Sequence, residues 1–306
     1  MAACMISAAP GLPLRHLLLA IAVMAVWGTN FVVIRLALDD LPPLLFAALR
    51  FTLVVIPAIF FLKRPPVSWW TMAAYGLFIG AGQFGLLFIA MDGHITPGLA
   101  SLIVQMQIFF TIGLFVWRYG EKVRPYHGLA LLLGAAGLAL IGANMDATIT
   151  AIGLALNVAA AFSWACGNLA AREAGTVNML SFIVWSSLFS APPLYLLSLL
   201  FEGSDAIGGA LRSSDAGTWI AVAWQAVGNT MFGYAAWGWL LQRHSAATVS
   251  PLALLVPVFG MSASAVLLGE PFPLWKLVAA GLVMCGLAII VLYPHWRARI
   301  AVVEPA

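Results

Sequence analysis

The chain has 306 residues, of which 63% are hydrophobic and only 8% are charged, with a net charge of +3 and a mean hydropathy of +1.02. A soluble domain carries about 25% charged residues, so this chain has too few charges to cover a surface that faces water. The composition therefore excludes an ordinary soluble enzyme, a nucleic-acid-binding protein, a disordered chain and a secreted disulfide scaffold.

Apolar stretches long enough to cross a bilayer follow one another along the chain, separated by short runs rich in proline, glycine and charge. Because backbone groups in lipid must be satisfied within their own segment, each stretch predicts a transmembrane helix rather than a barrel strand. In chain order, predicted helices 1 to 10 cover residues 14–37, 42–62, 69–91, 97–117, 126–143, 152–172, 181–201, 218–241, 247–268 and 275–294. The predicted fold is an all-α polytopic membrane protein with ten transmembrane helices.

The first stretch also has features of a cleavable signal peptide, because Arg15 precedes the apolar run from Leu17 to Val26. No small-residue cleavage site follows, and the sequence stays apolar as far as Ile34, which favours a first transmembrane helix. If the N-terminus is cytoplasmic, the cytoplasmic connections contain most of the Lys and Arg residues. An even number of helices then predicts that both termini are cytoplasmic.

Several residues recur at matching places in the two halves of the chain. The pairs are Trp27 with Trp164, Arg35 with Arg172, Gly120-Glu121 with Gly269-Glu270, and Gly137 with Gly286. The number of residues between the two members of a pair is larger for the later pairs than for the earlier ones. The loop at about 202–217 is longer than its counterpart at 63–68 by roughly the same number of residues, so one insertion explains the difference. Because each half holds an odd number of helices, residues 1–146 and 147–306 are predicted to be two inverted five-helix repeats, which is typical of secondary transporters.

Ionisable side chains are concentrated outside the predicted spans. All carboxylates and histidines lie in loops, tails or helix ends, whereas proton-driven carriers commonly bury such a group within a span. The pattern favours passive facilitation or exchange. The alternative is that Glu121, Glu270 or Asp92 reaches inward from a helix end.

Arg50 is the exception, a few residues inside predicted helix 2. An unrelieved charge there costs about 2.5–3.5 kcal/mol, and less if the side chain extends towards the interface. We expect such an extended side chain, paired with Asp39 or Asp40. The alternative is a counter-charge for a substrate carboxylate.

Uncharged polar and aromatic side chains occur in the middle of several spans. An unpaired amide in hydrocarbon costs several kcal/mol, so each should face another helix or a wet cavity. A site for a neutral or zwitterionic apolar solute is one interpretation, and helix–helix packing is the other. The amides are Asn30, Gln83, Gln105, Gln107, Asn168, Gln225 and Asn229, and the aromatic residues are Trp27, Trp164, Tyr234, Trp237 and Trp239.

Other functional classes have little support in the sequence. The three cysteines are scattered, which argues against a disulfide framework or a zinc site. Ser262 and Ser264 have no buried histidine to activate them, so an enzyme is not expected. We expect a monomer in the lipid bilayer that binds a small-molecule substrate, with no nucleic-acid partner, no cofactor and no metal.

The chain resembles the drug/metabolite transporter superfamily, specifically its EamA-type members, over nearly its whole length. The resemblance lies in the ten spans, the paired Gly-Glu motifs, Gly137 and Gly286, and Arg50, whereas Ser186 and Ser187 depart from it in the second half. The segment Trp27-Gly28-Thr29-Asn30-Phe31 and the aromatic predicted helix 8 are most similar to YddG-like aromatic amino-acid exporters of bacterial inner membranes.

That resemblance implies export of aromatic amino acids by alternating access through a central cavity. The alternative is a broad-specificity drug or cationic-compound exporter with the same fold. The residues that we expect to line the cavity and bind substrate are Trp27, Asn30, Gln83, Gln105, Trp164, Asn168, Tyr234 and Trp237.

Overall fold

The structure, a computed structural model, describes residues 12–120, 124–146, 148–244 and 246–303. Its long helical segments in chain order are α1 (Leu14–Ala37), α2 (Pro43–Phe60), α3 (Trp69–Met91), α4 (Pro97–Tyr119), α5 (Pro125–Ala143), α6 (Ala151–Glu173), α7 (Met179–Phe201), α8 (216–243), α9 (Pro251–Leu268) and α10 (Leu274–Val303). Within the described residues, all of these except α8 are long and apolar enough to cross a membrane. The predicted all-helical membrane architecture is confirmed.

The α8 segment is a continuous helical run that differs from the others in composition and geometry. It consists of Ala216–Ala223, a π-helical part at Trp224–Phe232, and Gly233–Arg243. Polar side chains inside the run, such as Gln225 and Asn229, lower its hydropathy. The predicted eighth span is therefore helical, although it is not among the segments whose composition alone marks them as membrane-spanning.

The segment between α7 and α8 was predicted to be a loop, and this is wrong. Residues Ser204–Ser213 form a short helix, here called the connecting helix. Gly203 precedes it with a φ of +84°, a conformation that favours glycine. Asp205 in its first turn and Arg212 in its last turn complement the helix dipole, and Ala210 is buried against the protein.

Prolines coincide with the breaks in α2 and α7. The α-helical part of α2 ends at Val55, and a 3₁₀ turn at Ala58–Phe60 follows Pro57. In α7, the α-helix Met179–Ser187 ends before a second α-helix begins at Ala191, with prolines in its first turn. A proline in the first turn removes no intrahelical hydrogen bond, because the amide groups of that turn have no partner in the helix.

The same pattern of neighbours occurs in both halves of the described chain. Helix α1 packs against α9 and α8, and α6 packs in the same way against α4 and α3. The pairs α2–α7 and α5–α10 complete the bundle. A nine-residue π-helical segment, Leu77–Gly85, lies in α3 and has a counterpart of equal length in α8.

Gly137 and Gly286 allow α5 and α10 to approach closely. A Cβ atom on Gly286 would lie 2.7 Å from the carbonyl oxygen of Ala130, and one on Gly137 would lie 2.7 Å from Cγ2 of Val283. Both distances are shorter than real Cβ contacts, so a larger residue would push the helices apart.

Glu202 joins the end of α7 to the start of α2. Its Oε1 accepts a hydrogen bond from the Leu44 amide at 2.5 Å, and its Oε2 accepts one from the Leu45 amide at 3.1 Å. The hydroxyl of Ser198 donates to Oε2 at 2.6 Å and holds the carboxylate in place. Since α2 begins at a Pro-Pro pair and has no side-chain cap of its own, Glu202 caps it from another helix.

We expect Glu202→Ala to lower the free energy of unfolding by about 1–2 kcal/mol, because it leaves two amide groups at a helix N-terminus without their acceptor. Thermal unfolding of the purified protein measures the change. The control is Asp205→Ala, which removes a nearby exposed carboxylate and should cost about 0.5 kcal/mol or less. Equal losses in the two variants would contradict the assigned capping role.

Candidate functional site

A cavity of about 330 Å³ lies between α1, α3, α4, α6, α8 and α9. The structure brings all eight predicted site residues to its wall: Trp27, Asn30, Gln83, Gln105, Trp164, Asn168, Tyr234 and Trp237. These residues lie on five helices, which belong to both halves of the chain. The sequence-based grouping of these residues therefore corresponds to one space, although their contact with a substrate stays a prediction.

The wall of the cavity is uncharged. Its described lining residues are mostly aromatic, aliphatic or amide-bearing, and none of them is Asp, Glu, Lys or Arg. The volume is near the lower end of the 300–1,000 Å³ that is usual for small-molecule sites, so the space suits one small ligand.

The aromatic side of the cavity is built around Trp27. Its indole Nε1 donates a hydrogen bond to the backbone oxygen of Asn229 at 3.0 Å. Its ring centroid lies 5.4 Å from that of Tyr234 and 5.7 Å from that of Trp237 in tilted arrangements. A Cβ on Gly233 would lie 2.3 Å from Nε1 of Trp27, so this glycine makes room for the indole. These rings pack between helices and line the cavity at the same time.

Asn168 belongs to an amide and hydroxyl cluster between α6 and α4. Its Nδ2 donates to Oε1 of Gln107 at 2.9 Å and to Oγ1 of Thr111 at 3.1 Å. Gln107 also lines the cavity. Asn168 thus contributes to helix–helix contact as well as to the wall.

Two amide oxygens in the wall have no partner within the described residues. These are Oδ1 of Asn30 and Oε1 of Gln83, and each residue is only 3% exposed. A buried acceptor without a donor is costly, and a ligand that supplies N–H groups would relieve that cost. This side of the cavity is therefore suited to an ammonium group or another donor.

Gln83 and Asn229 lie in the π-helical segments of α3 and α8. Widened turns of this kind are frequent at functional sites because they change the direction of side chains locally. The hydrophobicity pattern of the sequence does not predict these π-helical turns.

The structure adds further lining residues to the predicted set, among them Tyr75, Phe84, Gln107 and Asn229. Gln107 and Asn229 were recognised as mid-span amides but not placed in the site. Tyr75 lies eight positions before Gln83, about two helical turns away on the same face of α3, and this spacing could have identified it.

Arg50 does not extend towards the membrane interface, so that prediction is wrong. The side chain is 0% exposed, and its Nη2 donates to Oγ1 of Thr230 at 2.9 Å. Its Cζ lies 3.5 Å from the ring centroid of Phe84, a cation–π contact. Packing of α2 against α3, α7 and α8 surrounds the position with protein, which a single-helix argument cannot anticipate.

The two aspartates expected to pair with Arg50 have other partners. Asp39 forms an ion pair with Arg35 at 2.5 Å, four positions earlier. Asp40 accepts a hydrogen bond from the hydroxyl of Thr218 at 2.8 Å.

Of the three carboxylates considered as inward-reaching, Glu270 is buried, with 8% of the residue exposed. Its Oε1 lies 3.1 Å from Nζ of Lys276, which is itself only 2% exposed. Asp92 is exposed, and Glu121 lies outside the described residues. The buried pair is not part of the cavity wall.

Comparisons with known proteins cover nearly the whole chain. A "Probable amino-acid metabolite efflux pump" of Salmonella typhimurium is 43% identical over 277 residues, which are 89% of this chain and 93% of that protein. A protein of the same description from Escherichia coli K12 is 39% identical, over 93% of this chain and 97% of that protein. "Uncharacterized transporter YoaV" of Bacillus subtilis is 26% identical over 87% of this chain and 93% of that protein.

The fold and the family follow from two further matches. A solved crystal structure with 22% identity aligns with a TM-score of 0.61, covering 91% of this chain and 97% of that chain, so the fold is shared. The model of the EamA-like transporter family matches residues 14–143 and again residues 151–292. The resemblance seen in the sequence is thus confirmed, and the chain belongs to the EamA-like transporter family within the drug/metabolite transporter superfamily.

Proposed function

We propose that this protein exports small amphipathic metabolites across the bacterial inner membrane, aromatic amino acids in particular. The observation that carries the proposal is the uncharged cavity that joins an aromatic wall to unpartnered amide oxygens. The ammonium group would lie at Asn30 and Gln83, and the aromatic side chain would lie against Trp27 and Tyr234. Such a wall suits a solute with one apolar and one polar end.

The relatives support the metabolite class. Two proteins that align over most of their length with this chain are described as probable amino-acid metabolite efflux pumps. The preference for aromatic side chains rests on the cavity wall and on the sequence resemblance to aromatic amino-acid exporters, since neither description specifies it.

A cationic-compound exporter is the alternative on the same fold. A fixed carboxylate would be expected to attract a permanent cation into a buried site, and none lies among the described lining residues. The uncharged wall therefore favours a neutral or zwitterionic substrate.

The proposed mechanism is alternating access between two inverted halves, residues 1–146 and 147–306. Matching helix neighbours and the paired π-helical segments support the repeat, and α8 would be the tenth membrane helix. In this arrangement both termini are cytoplasmic and a monomer contains a complete site. Rocking of one half against the other would expose the cavity to each side in turn.

We expect Asn168→Ala to reduce phenylalanine counterflow in proteoliposomes by about 2–10-fold, which corresponds to the loss of hydrogen bonds worth about 0.5–1.5 kcal/mol.

Trp164→Ala should reduce counterflow by about tenfold, because it removes an aromatic surface from the cavity wall. Trp219→Ala is the matched control, since Trp219 is 44% exposed and not part of the wall. Unchanged flux in both cavity variants would remove these residues from the site.

The same proteoliposomes distinguish the two substrate classes. Wild-type protein should show saturable, trans-stimulated flux of labelled phenylalanine and little flux of a quaternary ammonium compound. The reverse preference would favour the cation exporter, and the absence of flux for both compounds would contradict a carrier of either kind.

A further inference from the structure

We propose that Arg50 recognises the carboxylate group of the substrate and so makes the cavity selective for carboxylate-bearing amphiphiles. This inference rests on the export function proposed above. It assigns a role to a charged residue that lies just behind the wall and does not line the cavity itself.

The guanidinium of Arg50 is fully buried and incompletely paired. Its Nη2 donates to Thr230, whereas Nε and Nη1 have no hydrogen-bond partner in the described part of the chain. No carboxylate pairs with it there either, since Asp39 is bound to Arg35 and Asp40 to Thr218. A buried cation in this condition is expected to attract an anion.

The position of Arg50 relative to the cavity indicates which anion can reach it. Phe84 lines the cavity with one part of its surface and contacts the guanidinium with its ring, at 3.5 Å from Cζ to centroid. Thr230, the hydrogen-bond partner of Arg50, follows the lining residue Asn229 directly in the chain. The guanidinium of Arg50 therefore contacts one residue of the cavity wall and the chain neighbour of another.

The chemistry of the guanidinium matches a carboxylate. Arginine presents paired N–H donors in a planar fork that a carboxylate accepts in a bidentate manner, and such charge-assisted hydrogen bonds are among the strongest in proteins. The described lining residues supply no other cation for the acidic end of an amino acid. Rotation of the Phe84 side chain would replace the cation–π contact with the carboxylate contact.

Arg50 also has a structural contact that the test must separate from recognition. Oγ1 of Thr230 accepts from Arg50 and donates to the backbone oxygen of Gln225 at 2.9 Å, within the π-helical part of α8. A purely structural Arg50 would act through this hydroxyl and through its contact with the Phe84 ring. Removing the hydroxyl while keeping the cation tests the first contact, and a ligand that lacks only the carboxylate separates recognition from both.

The experiment compares equilibrium binding of phenylalanine and phenylalaninamide to purified protein. The amide analogue keeps the ring and the ammonium group but has no carboxylate. We expect wild-type protein to prefer phenylalanine, and Arg50→Gln to reduce that preference at least tenfold while affinity for the amide analogue changes little. Thr230→Val should keep the wild-type preference.

Arg50→Lys provides a second measurement if Arg50→Gln is not monodisperse. It keeps the charge but not the planar fork, so the preference should fall by about threefold or more. Equal losses for both ligands in Arg50→Gln, a collapsed preference in Thr230→Val, or wild-type preference in Arg50→Lys would each overturn the inference. Wild-type protein that binds neither ligand would instead refute the proposed function, and the inference with it.

Discussion

Glu270→Ala is expected to destabilise the protein by about 3–5 kcal/mol, because it leaves a buried charge without its partner. The Glu270 carboxylate accepts hydrogen bonds from Oγ1 of Thr96 at 2.5 Å, from the amide of Gly98 at 3.0 Å and from the hydroxyl of Ser264. It also pairs with Lys276 at 3.1 Å, and these two side chains are only 4% and 2% exposed. The substitution removes the cap of α4 and isolates a buried ammonium group.

Thermal unfolding in detergent measures this effect, and a midpoint lower by roughly 10 °C is expected. The double variant Glu270→Gln with Lys276→Met should recover part of the loss, since it removes both charges. Glu173→Ala is the control, because its ion pair with Arg118 is long, at 3.6 Å, and half exposed. That pair should contribute about 0–1 kcal/mol. If the Glu270 and Glu173 variants lost similar stability, burial would not be the reason for the contribution of Glu270.

Gly28→Ala should have the second largest effect on stability, a loss of about 1–3 kcal/mol. A Cβ at this position would lie 2.7 Å from the backbone oxygen of Val256 and 2.9 Å from the amide nitrogen of Gly260. Backbone atoms of α9 cannot rotate away as a side chain can, so α1 and α9 must separate. Because Trp27 and Asn30 flank this contact, the substitution should also reduce flux.

The matched control for Gly28→Ala is Gly113→Ala. Gly113 is an exposed helical glycine of α4, and a Cβ there would meet nothing within 4 Å. Alanine favours helix over glycine by about 1 kcal/mol, so this variant should be neutral or slightly more stable. If both alanine variants unfold at the same temperature, the close contact between α1 and α9 is not what requires glycine at position 28.

Apart from α10, which was predicted to end at residue 294 but continues to Val303, the predicted helix positions agree closely with the structure. The reason is that the hydrophobicity of a span is a property of adjacent residues. A stretch such as Leu14–Ala37 must satisfy its backbone in lipid by itself, whatever lies beside it. The cost of burying an amide is equally local, which is why Asn30 and Gln83 could be assigned to a shared interior before their neighbours were known. That cost is satisfied equally by helix–helix contact, so only the structure shows that both residues line one cavity.

Arg50 shows what a single span does not reveal. Whether a charge extends to the interface or stays buried depends on the helices around it, and Thr230 and Phe84 come from distant parts of the chain. The same holds for Glu270, whose partners lie on three different helices or their ends. The residues adjacent to Arg50 and Glu270 in the chain do not predict that these side chains are buried.

The amino-acid sequence by itself indicated that lipid surrounds this protein. It also predicted the approximate positions of the membrane helices, the family, and the polar and aromatic residues of the interior. Membrane helices and interior residues depend on composition and on spacing within one helix, and the family depends on short motifs that recur along the chain. Only the tertiary structure decided the burial of Arg50, the pairing of Glu270 with Lys276, the π-helical turns and the connecting helix Ser204–Ser213. The burial of Arg50 arises from contacts with residues far apart in the chain. Glu270 and Lys276 are only six positions apart, but Thr96 and Gly98 at the start of distant α4 also bind the carboxylate. In both cases the free energy of the side chain depends on neighbours that the local hydrophobicity pattern does not specify.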